Sequence, residues 1–169
     1  MTQPLLHGIA WPGRRVTMAA PLDGVLMTVG VTEGQHVSSG QVMARMDDRV
    51  ARAAVDAARA SAERNAMIEH ALKDIDLYES LLRRLTNTNS AGATTDYEVD
   101  EARARRDQAI ATHKSALEQK HQAERNLALE MAKLEQHAIR APFDGRIVRV
   151  AGETGQTLTK SDQLLTLVS

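Results

Sequence analysis

The chain has 169 residues, of which 25% are charged, and a formal net charge of −1. This near-neutral balance gives no electrostatic reason to expect binding to nucleic acid or to an anionic membrane surface. An aromatic content of 2% excludes a platform for stacking bases, and the absence of cysteine excludes disulfides and thiolate chemistry.

The first predicted element is a small β unit in residues 1–47. Segment 20–24 reads Ala-Pro-Leu-Asp-Gly, in which proline presets φ and Asp-Gly tolerates the positive φ of tight turns. Alternating apolar residues follow over 25–29, a second turn falls at Glu33-Gly34-Gln35, and an apolar strand closes the unit at 41–46.

Residues 48–137 are predicted to be helical almost throughout. They contain no proline and one glycine, Gly92, and strong helix formers dominate. Apolar and small residues recur at heptad spacing. In the first half they are Ser61, Ile68, Ile75 and Leu82 beside Ala57, Ala71, Tyr78 and Leu85, and in the second half Ala102, Ala109, Ala116 and Ala123. This pattern predicts a closely packed antiparallel coiled-coil hairpin.

The hairpin is predicted to consist of a helix over about 48–86, a polar tip loop over about 87–94 and a helix over about 95–137. Thr95 and Glu98 form a capping-box signature for the second helix, and Asp47 or Asp48 caps the first. Each arm would be about 60 Å long at ~1.5 Å per residue. So long a hairpin is expected to project from the small β unit.

Residues 138–169 repeat the first β unit. Segment 141–145 reads Ala-Pro-Phe-Asp-Gly, 121 positions after segment 20–24, and Gly155-Gln156 repeats Gly34-Gln35 without a gap. One copy of about 30 to 40 residues could not bury a core alone. The expected fold is therefore α+β: one β-sandwich built from two split halves, with the hairpin inserted between them and the two copies related by a pseudo-twofold axis.

Catalytic chemistry is not expected. Asp23 and Asp144 lie inside turn signatures, which favours backbone bonding over acid–base work, and no nucleophile has a base near it in sequence. The histidines lack metal-ligand spacing. They are His7, His36, His70, His113, His121 and His137. We therefore expect no enzyme activity, no metal, no cofactor and no small-molecule substrate.

The repeat and the segment 134–145, Leu-Glu-Gln-His-Ala-Ile-Arg-Ala-Pro-Phe-Asp-Gly, resemble the lipoyl-like domain and α-helical hairpin of HlyD-type periplasmic adaptors, also called membrane fusion proteins. The resemblance covers about residues 8–169. It implies a lipoyl/biotinyl-like sandwich in an adaptor of a tripartite efflux pump or type I secretion system. The implied partners are an inner-membrane transporter, an outer-membrane channel protein and further copies of the chain in a ring. The implied location is the periplasm or cell envelope, with an anchoring segment outside this chain.

The resemblance also implies a partner-binding site at the hairpin tip. Many family members that dock on TolC-like channels carry Arg-x3-Leu-x6-Ser there. In this sequence Arg84 occupies the Arg position, Thr95 supplies a hydroxyl at the Ser position, and Thr88 replaces the leucine. The motif is incomplete, and Thr95 also serves as the helix cap.

Exposed apolar residues outside the heptad would support side-by-side self-association of the hairpin. They include Leu77, Leu81 and Leu129.

Two alternatives are a free-standing coiled-coil scaffold and a lipoyl or biotin carrier. In a carrier, the modified lysine occupies the turn that joins the two halves, but here the helical insert replaces that turn. None of the available lysines stands in a carrier context, and we expect no covalent cofactor. They are Lys73, Lys114, Lys120, Lys133 and Lys160.

Overall fold

The computed structural model describes residues 13–90 and 95–169. Residues 1–12 and 91–94, which include His7, Gly92 and the second half of the predicted tip loop, lie outside the described residues. The strands are β1 (Arg15–Ala19), β2 (Gly24–Val29), β3 (His36–Val37), β4 (Val42–Met46), β5 (Ala138–Arg140), β6 (Gly145–Val150), β7 (Thr157–Leu158) and β8 (Gln163–Val168). The helices are α1 (Arg49–Ala62), α2 (Ala66–Ser90) and α3 (Asp96–Glu135). The predicted α+β class is confirmed.

The strands form two four-stranded sheets, each with strands from both ends of the chain. One has the order β1-β8-β6-β3 and the other β5-β4-β2-β7. The strand pairings are antiparallel. Because β3 pairs with β6 and β2 with β7, neither end of the chain completes its sheet alone.

The backbone hydrogen bonds between the two ends are reciprocal. Leu26 N donates to Gln156 O at 2.8 Å, and Ile147 N, 121 positions later, donates to Gln35 O at 2.9 Å. Likewise, Gly34 N donates to Ile147 O, and Gly155 N, 121 positions after Gly34, donates to Leu26 O. The sequence repeat is therefore also a repeat of hydrogen bonding.

The two repeated aspartates each bind a turn of the other copy. Asp144 Oδ1 accepts a hydrogen bond from Ser39 N at 2.6 Å, and Asp23 Oδ1 accepts one from Lys160 N. Ser39 and Lys160 are themselves 121 positions apart. Turn bonding, rather than a carboxylate pair, accounts for both aspartates.

Ser161→Gly is expected to stabilise the protein by about 0.5–1 kcal/mol. Ser161 has a φ of 88°, and its counterpart in the first copy, Gly40, has a φ of 79°. A side chain is disfavoured in this left-handed region, although part of the gain is offset by the greater chain entropy of glycine when unfolded. Urea unfolding would measure the change. Gly40→Ser should be destabilising, and a loss of stability in Ser161→Gly would contradict the assignment.

One hydrophobic core fills the β unit. Its largest fully buried side chains come from both copies, and several occupy equivalent positions, such as Leu26 with Ile147 and Met43 with Leu164. They are Leu26, Val37, Met43, Met46, Ile147, Leu158, Leu164, Leu165 and Leu167. This shared core is what neither copy could build alone.

The chain divides by its internal contacts into two compact units. The β unit comprises the residues up to Arg52 together with Ala132–Ser169, and the helical unit comprises Ala53–Met131. In the helical unit, clefts are lined jointly by residues near 74–85 with 98–112 and by residues near 54–68 with 116–130. As the residue numbers rise along α1 and α2, the numbers of the residues facing them on α3 fall, so α1 and α2 lie antiparallel to α3.

The start of α1 is fixed by ion pairs. The carboxylate of Asp47 accepts hydrogen bonds from the backbone N and the guanidinium of Arg49, and the guanidinium bond is the larger cause that lowers the pKa of Asp47 to about 2. Asp48 binds Arg52 at 2.8 Å, which also lowers the pKa of Asp48. The predicted acidic cap is confirmed at Asp47.

The small-residue seam of α3 is confirmed at three of its four predicted alanines, Ala123 being half-buried, but the seam of α1 differs from the prediction. On α3, Ala102, Ala109 and Ala116 are buried. On α1, the buried residues are Val55, Ala58 and Ala62. Ala57 and Ser61, which the heptad pattern placed in the seam, are exposed.

A shift in the phase of the seam explains why α1 and α2 are separate helices instead of the one continuous helix expected. Val55 and Ala62 are seven residues apart, and so are Ile68 and Ile75, but Ala62 and Ile68 are only six apart. In a continuous helix each residue turns by about 100°, so one of the two stripes would point away from α3. Residues 63–65 interrupt the helix, and both stripes can face α3.

Candidate functional site

Arg84 and Thr88 lie on the last turns of α2, and both are exposed. The predicted loop over 87–94 is replaced at its start by helix, because α2 continues to Ser90. The Thr88 hydroxyl donates to Arg84 O at 3.1 Å and to Leu85 O at 3.0 Å. Such back-bonding to the preceding turn lets a threonine remain helical. Arg84 and Thr88 are thus one turn apart on a single helix.

Thr95 caps α3 as predicted. Glu98 N donates to Thr95 Oγ1 at 3.4 Å, and Thr95 N donates to the Glu98 carboxylate at 2.9 Å. The backbone bond from Thr95 is the first cause that lowers the pKa of the Glu98 carboxyl. The capping box is therefore confirmed, and the Thr95 hydroxyl and the Glu98 carboxylate already bond to each other's backbone N–H groups.

Tyr97 is a candidate that the sequence analysis missed. It lies in the first turn of α3, two residues after the cap, and is 76% exposed. The signal was present, because only 2% of the chain is aromatic and one of these few residues stands beside the predicted tip. Tyrosine and arginine are enriched among the residues that dominate binding energy in protein interfaces.

A shallow cleft of about 190 Å³ separates α2 and α3 next to these residues. Its lining combines two leucines with charged side chains, including Arg105, which binds Glu101 at 2.6 Å. The lining residues are Leu81, Leu85, Glu98, Glu101, Ala102 and Arg105. We call Arg84, Thr88, Thr95 and Tyr97 the tip surface. Its groups can donate hydrogen bonds, pair with anions and stack, which suits recognition of another protein surface.

Within the described ranges, no three His, Asp or Glu side chains converge as a metal-binding group. No helix in the part of the chain that the structure describes is both long and apolar enough to cross a membrane.

Comparison with known proteins identifies relatives along nearly the whole chain. The chain is 26% identical over 156 residues to multidrug resistance protein MdtA of Pantoea ananatis, which covers 92% of this chain and 35% of that protein. It is 29% identical over 157 residues to the pyoverdine export membrane fusion protein PvdR of Pseudomonas putida, covering 92% and 40%. The chain thus spans about two fifths or less of the length of these relatives.

The fold matches the crystal structure of MacA from Actinobacillus actinomycetemcomitans with a TM-score of 0.84, at 22% identity, over 93% of this chain and 50% of that one. The family model for the barrel-sandwich hybrid domain of RND membrane fusion proteins (RND MFP) matches residues 14–169. The chain therefore belongs to the RND membrane fusion protein family, in which it corresponds to the barrel-sandwich hybrid domain.

Proposed function

We propose that this chain is a non-catalytic part of a periplasmic adaptor in a tripartite efflux pump or type I secretion system. Its hairpin would bridge an inner-membrane transporter to an outer-membrane channel protein, in the periplasm or cell envelope. The observation that carries the proposal is the match of residues 14–169 to the membrane fusion protein family, together with relatives named for multidrug resistance and pyoverdine export.

We further propose that the β unit is a lipoyl-like sandwich made of two split halves, residues 1–47 and 138–169, around a hairpin over 48–137. The reciprocal bonds of Asp23 with Lys160 N and of Asp144 with Ser39 N support this proposal. In this arrangement the halves hold each other, so the β unit serves as a base whose shape does not depend on a bound group.

The tip surface is the proposed contact with the outer-membrane channel. Arg84 and Tyr97 support this assignment because both are exposed on the long helices α2 and α3, the second of which is capped, rather than on a free loop. Side chains held by regular helices present a preorganised surface, which reduces the entropy lost on binding. Thr88 and Thr95 contribute hydroxyl groups whose first bonds are made within the tip.

Side-by-side assembly into a ring is the proposed state of the adaptor. Leu77 is 55% exposed and Leu129 52% exposed, and both lie outside the buried stripes. Leu81 is half-buried and lines the cleft between α2 and α3, so the proposal rests on the other two leucines. Exposed apolar side chains on a helical surface favour contact with another protein surface.

The double variant Arg84→Glu with Tyr97→Ala tests the docking site in the protein as its genome encodes it. We expect export to fall at least about tenfold, because truncation or reversal of central interface residues commonly costs about 2 kcal/mol or more. The free energy of unfolding should change by less than about 1 kcal/mol, since both side chains are exposed. A photo-reactive residue at position 84 should cross-link to an outer-membrane protein in the unmodified background.

Arg125→Glu is the matched control, because Arg125 is also an exposed helical arginine but lies many turns along α3 from the tip surface. It should export normally, and a photo-reactive residue at position 125 should give no cross-link to an outer-membrane protein. Normal export by the folded double variant would exclude the tip surface as the docking site. Loss of export by both variants alike would mean that charge reversal anywhere on the hairpin is harmful.

A further inference from the structure

Helix α1 carries two stripes of apolar or small residues, and only one of them is fully buried. The buried stripe consists of Val55, Ala58 and Ala62. The second stripe lies one residue towards the N-terminus, at Val50, Ala54, Ala57 and Ser61, with the same alternation of three- and four-residue steps. Such spacing puts these residues on one helix face. Val50 is 85% exposed, so its side chain contributes almost no hydrophobic burial to stability in the broken helix.

The second stripe, unlike the buried one, is in phase with α2. Ser61 and Ile68 are seven residues apart, and Ile68, Ile75 and Leu82 continue at the same interval. If residues 63–65 became helical, α1 and α2 would form one helix. In that helix Ala57 and Ser61 would face α3 on the same side as Ile68, while Ala58 and Ala62 would turn away by about 100°.

We propose that residues 63–65 are a conformational switch between the broken helix seen here and a continuous helix in which α1 has rotated to bury its second stripe. Each state has its own gain. The broken state buries Val55. The continuous state adds about four backbone hydrogen bonds, because the N–H groups of residues 65–68 would gain partners four residues back, while the long bond from Arg64 N to Ser61 O would be exchanged for a helical one.

The break contains no residue that forbids a helix. Its sequence is Glu63-Arg64-Asn65, with neither proline nor glycine, and glutamate and arginine are good helix formers. Glu63 N still makes a helical bond to Arg59 O at 3.0 Å, whereas Arg64 N reaches Ser61 O only at 3.4 Å. The segment is thus held open by its surroundings more than by its own preferences.

A side-chain bond from the opposite helix holds the broken state. Lys120 Nζ on α3 donates to Asn65 Oδ1 at 2.5 Å. Asn65 directly precedes α2, and Glu69 N donates to its backbone carbonyl at 3.0 Å, so Asn65 is the N-cap residue that a continuous helix would not need. Next to this bond lies a cleft of about 440 Å³ between the break and α3, which gives the segment room to rearrange.

Thiol labelling can measure the switch, because the chain has no cysteine. Ala58→Cys places a thiol in the stripe that is buried in the broken helix, and Ala57→Cys places one on the face that the continuous helix would bury. Each thiol is therefore exposed in only one of the two states, and the ratio of the maleimide labelling rate at position 58 to that at position 57 follows the ratio of the continuous to the broken state. The full 169-residue chain is used throughout.

Three further substitutions shift the proposed equilibrium in known directions. Ala66→Pro is tolerated at the first residue of α2 but not inside a continuous helix, so it should slow labelling of the thiol at position 58 by at least about tenfold. Asn65→Ala removes the acceptor of the bond from Lys120 and should speed labelling by about fivefold, as expected for the loss of a bond of about 1 kcal/mol. Lys120→Met removes the bond from α3 without changing the break and should also speed labelling.

Ala71→Cys is the matched control, since Ala71 is also buried but lies on α2. The labelling rate of its thiol should be the same in the unmodified chain and in the three variants. The proposal is overturned if Ala58→Cys labels at one rate regardless of Ala66→Pro, because simple fraying of α1 does not depend on a proline at the start of α2. It is also overturned if the labelling rates at positions 58 and 71 change in parallel, because the exposure would then come from unfolding of the whole hairpin.

Discussion

Gly145→Ala is expected to lower the free energy of unfolding by about 3 kcal/mol, at the upper end of the usual cost of overpacking. A methyl group at position 145 would overlap the carbonyl oxygen of Val168 and would lie 3.0 Å from its carbonyl carbon and 3.2 Å from Leu167 Cδ1. The obstacle is backbone of β8, which is paired on one side with β1 and on the other with β6. It cannot move without disturbing both pairings.

The repeat supplies a matched control for this change in Gly24→Ala. Gly24 is the counterpart of Gly145, but a methyl group there would meet only side chains, Met46 Cε at 3.3 Å and Leu22 Cδ1 at 3.6 Å. Methionine is flexible and can yield, so the cost should stay below about 1 kcal/mol. Urea unfolding of both variants measures the difference. Equal costs for the two substitutions would show that the clash with β8 is not what constrains position 145.

The difference between Gly24 and Gly145 shows which features of the fold the sequence repeat could predict and which it could not. The local strands and turns could be read from each copy, because alternation and Asp-Gly turns are properties of short segments. The different surroundings of Gly24 and Gly145 could not, because they depend on which strand lies next to each glycine. The two sheets differ in this respect although the two segments read almost alike.

At the tip surface, too, some features could be predicted from the sequence and others could not. The cap formed by Thr95 and Glu98 is local, and its four-residue signature was sufficient to predict it. The end of α2 was placed too early, because threonine and asparagine favour turns on average while the Thr88 hydroxyl here bonds within its own helix. Tyr97 could not be predicted from the family motif Arg-x3-Leu-x6-Ser, because that motif does not include its position.

The break at residues 63–65 was missed because α1 offers two stripes. The heptad through Ala57 and Ser61 runs on without interruption into α2, so the pattern predicted one helix. The choice in favour of Ala58 and Ala62 adds Val55 to the buried face. The other stripe has its valine, Val50, in the first turn of α1 and only alanine and serine beyond it. A valine side chain buries more apolar area than either, and the gain from Val55 depends on packing against α3, which periodicity alone does not measure.

One alanine inserted between Arg64 and Asn65 is therefore expected to join α1 and α2 into a single helix and to stabilise the protein by about 2 kcal/mol. The insertion makes the spacing from Ala62 to Ile68 seven residues, so both stripes would face α3 along one continuous helix. About five backbone hydrogen bonds at roughly 1 kcal/mol each would be gained. The loss of the bond between Lys120 and Asn65 and the ordering of the joined segment offset part of this gain.

Urea unfolding gives the change in stability, and amide hydrogen exchange shows whether the N–H groups around the insertion become protected. The control is an insertion of two alanines at the same point, which turns the stripes out of phase again by about 100° in the other direction. That variant should keep the break and gain neither stability nor protection. If both insertions behave alike, or if the single alanine is destabilising, the break has a cause other than the phase of the seam. If only the single insertion closes the break, the length of the segment between Ala62 and Ile68 is what separates α1 from α2.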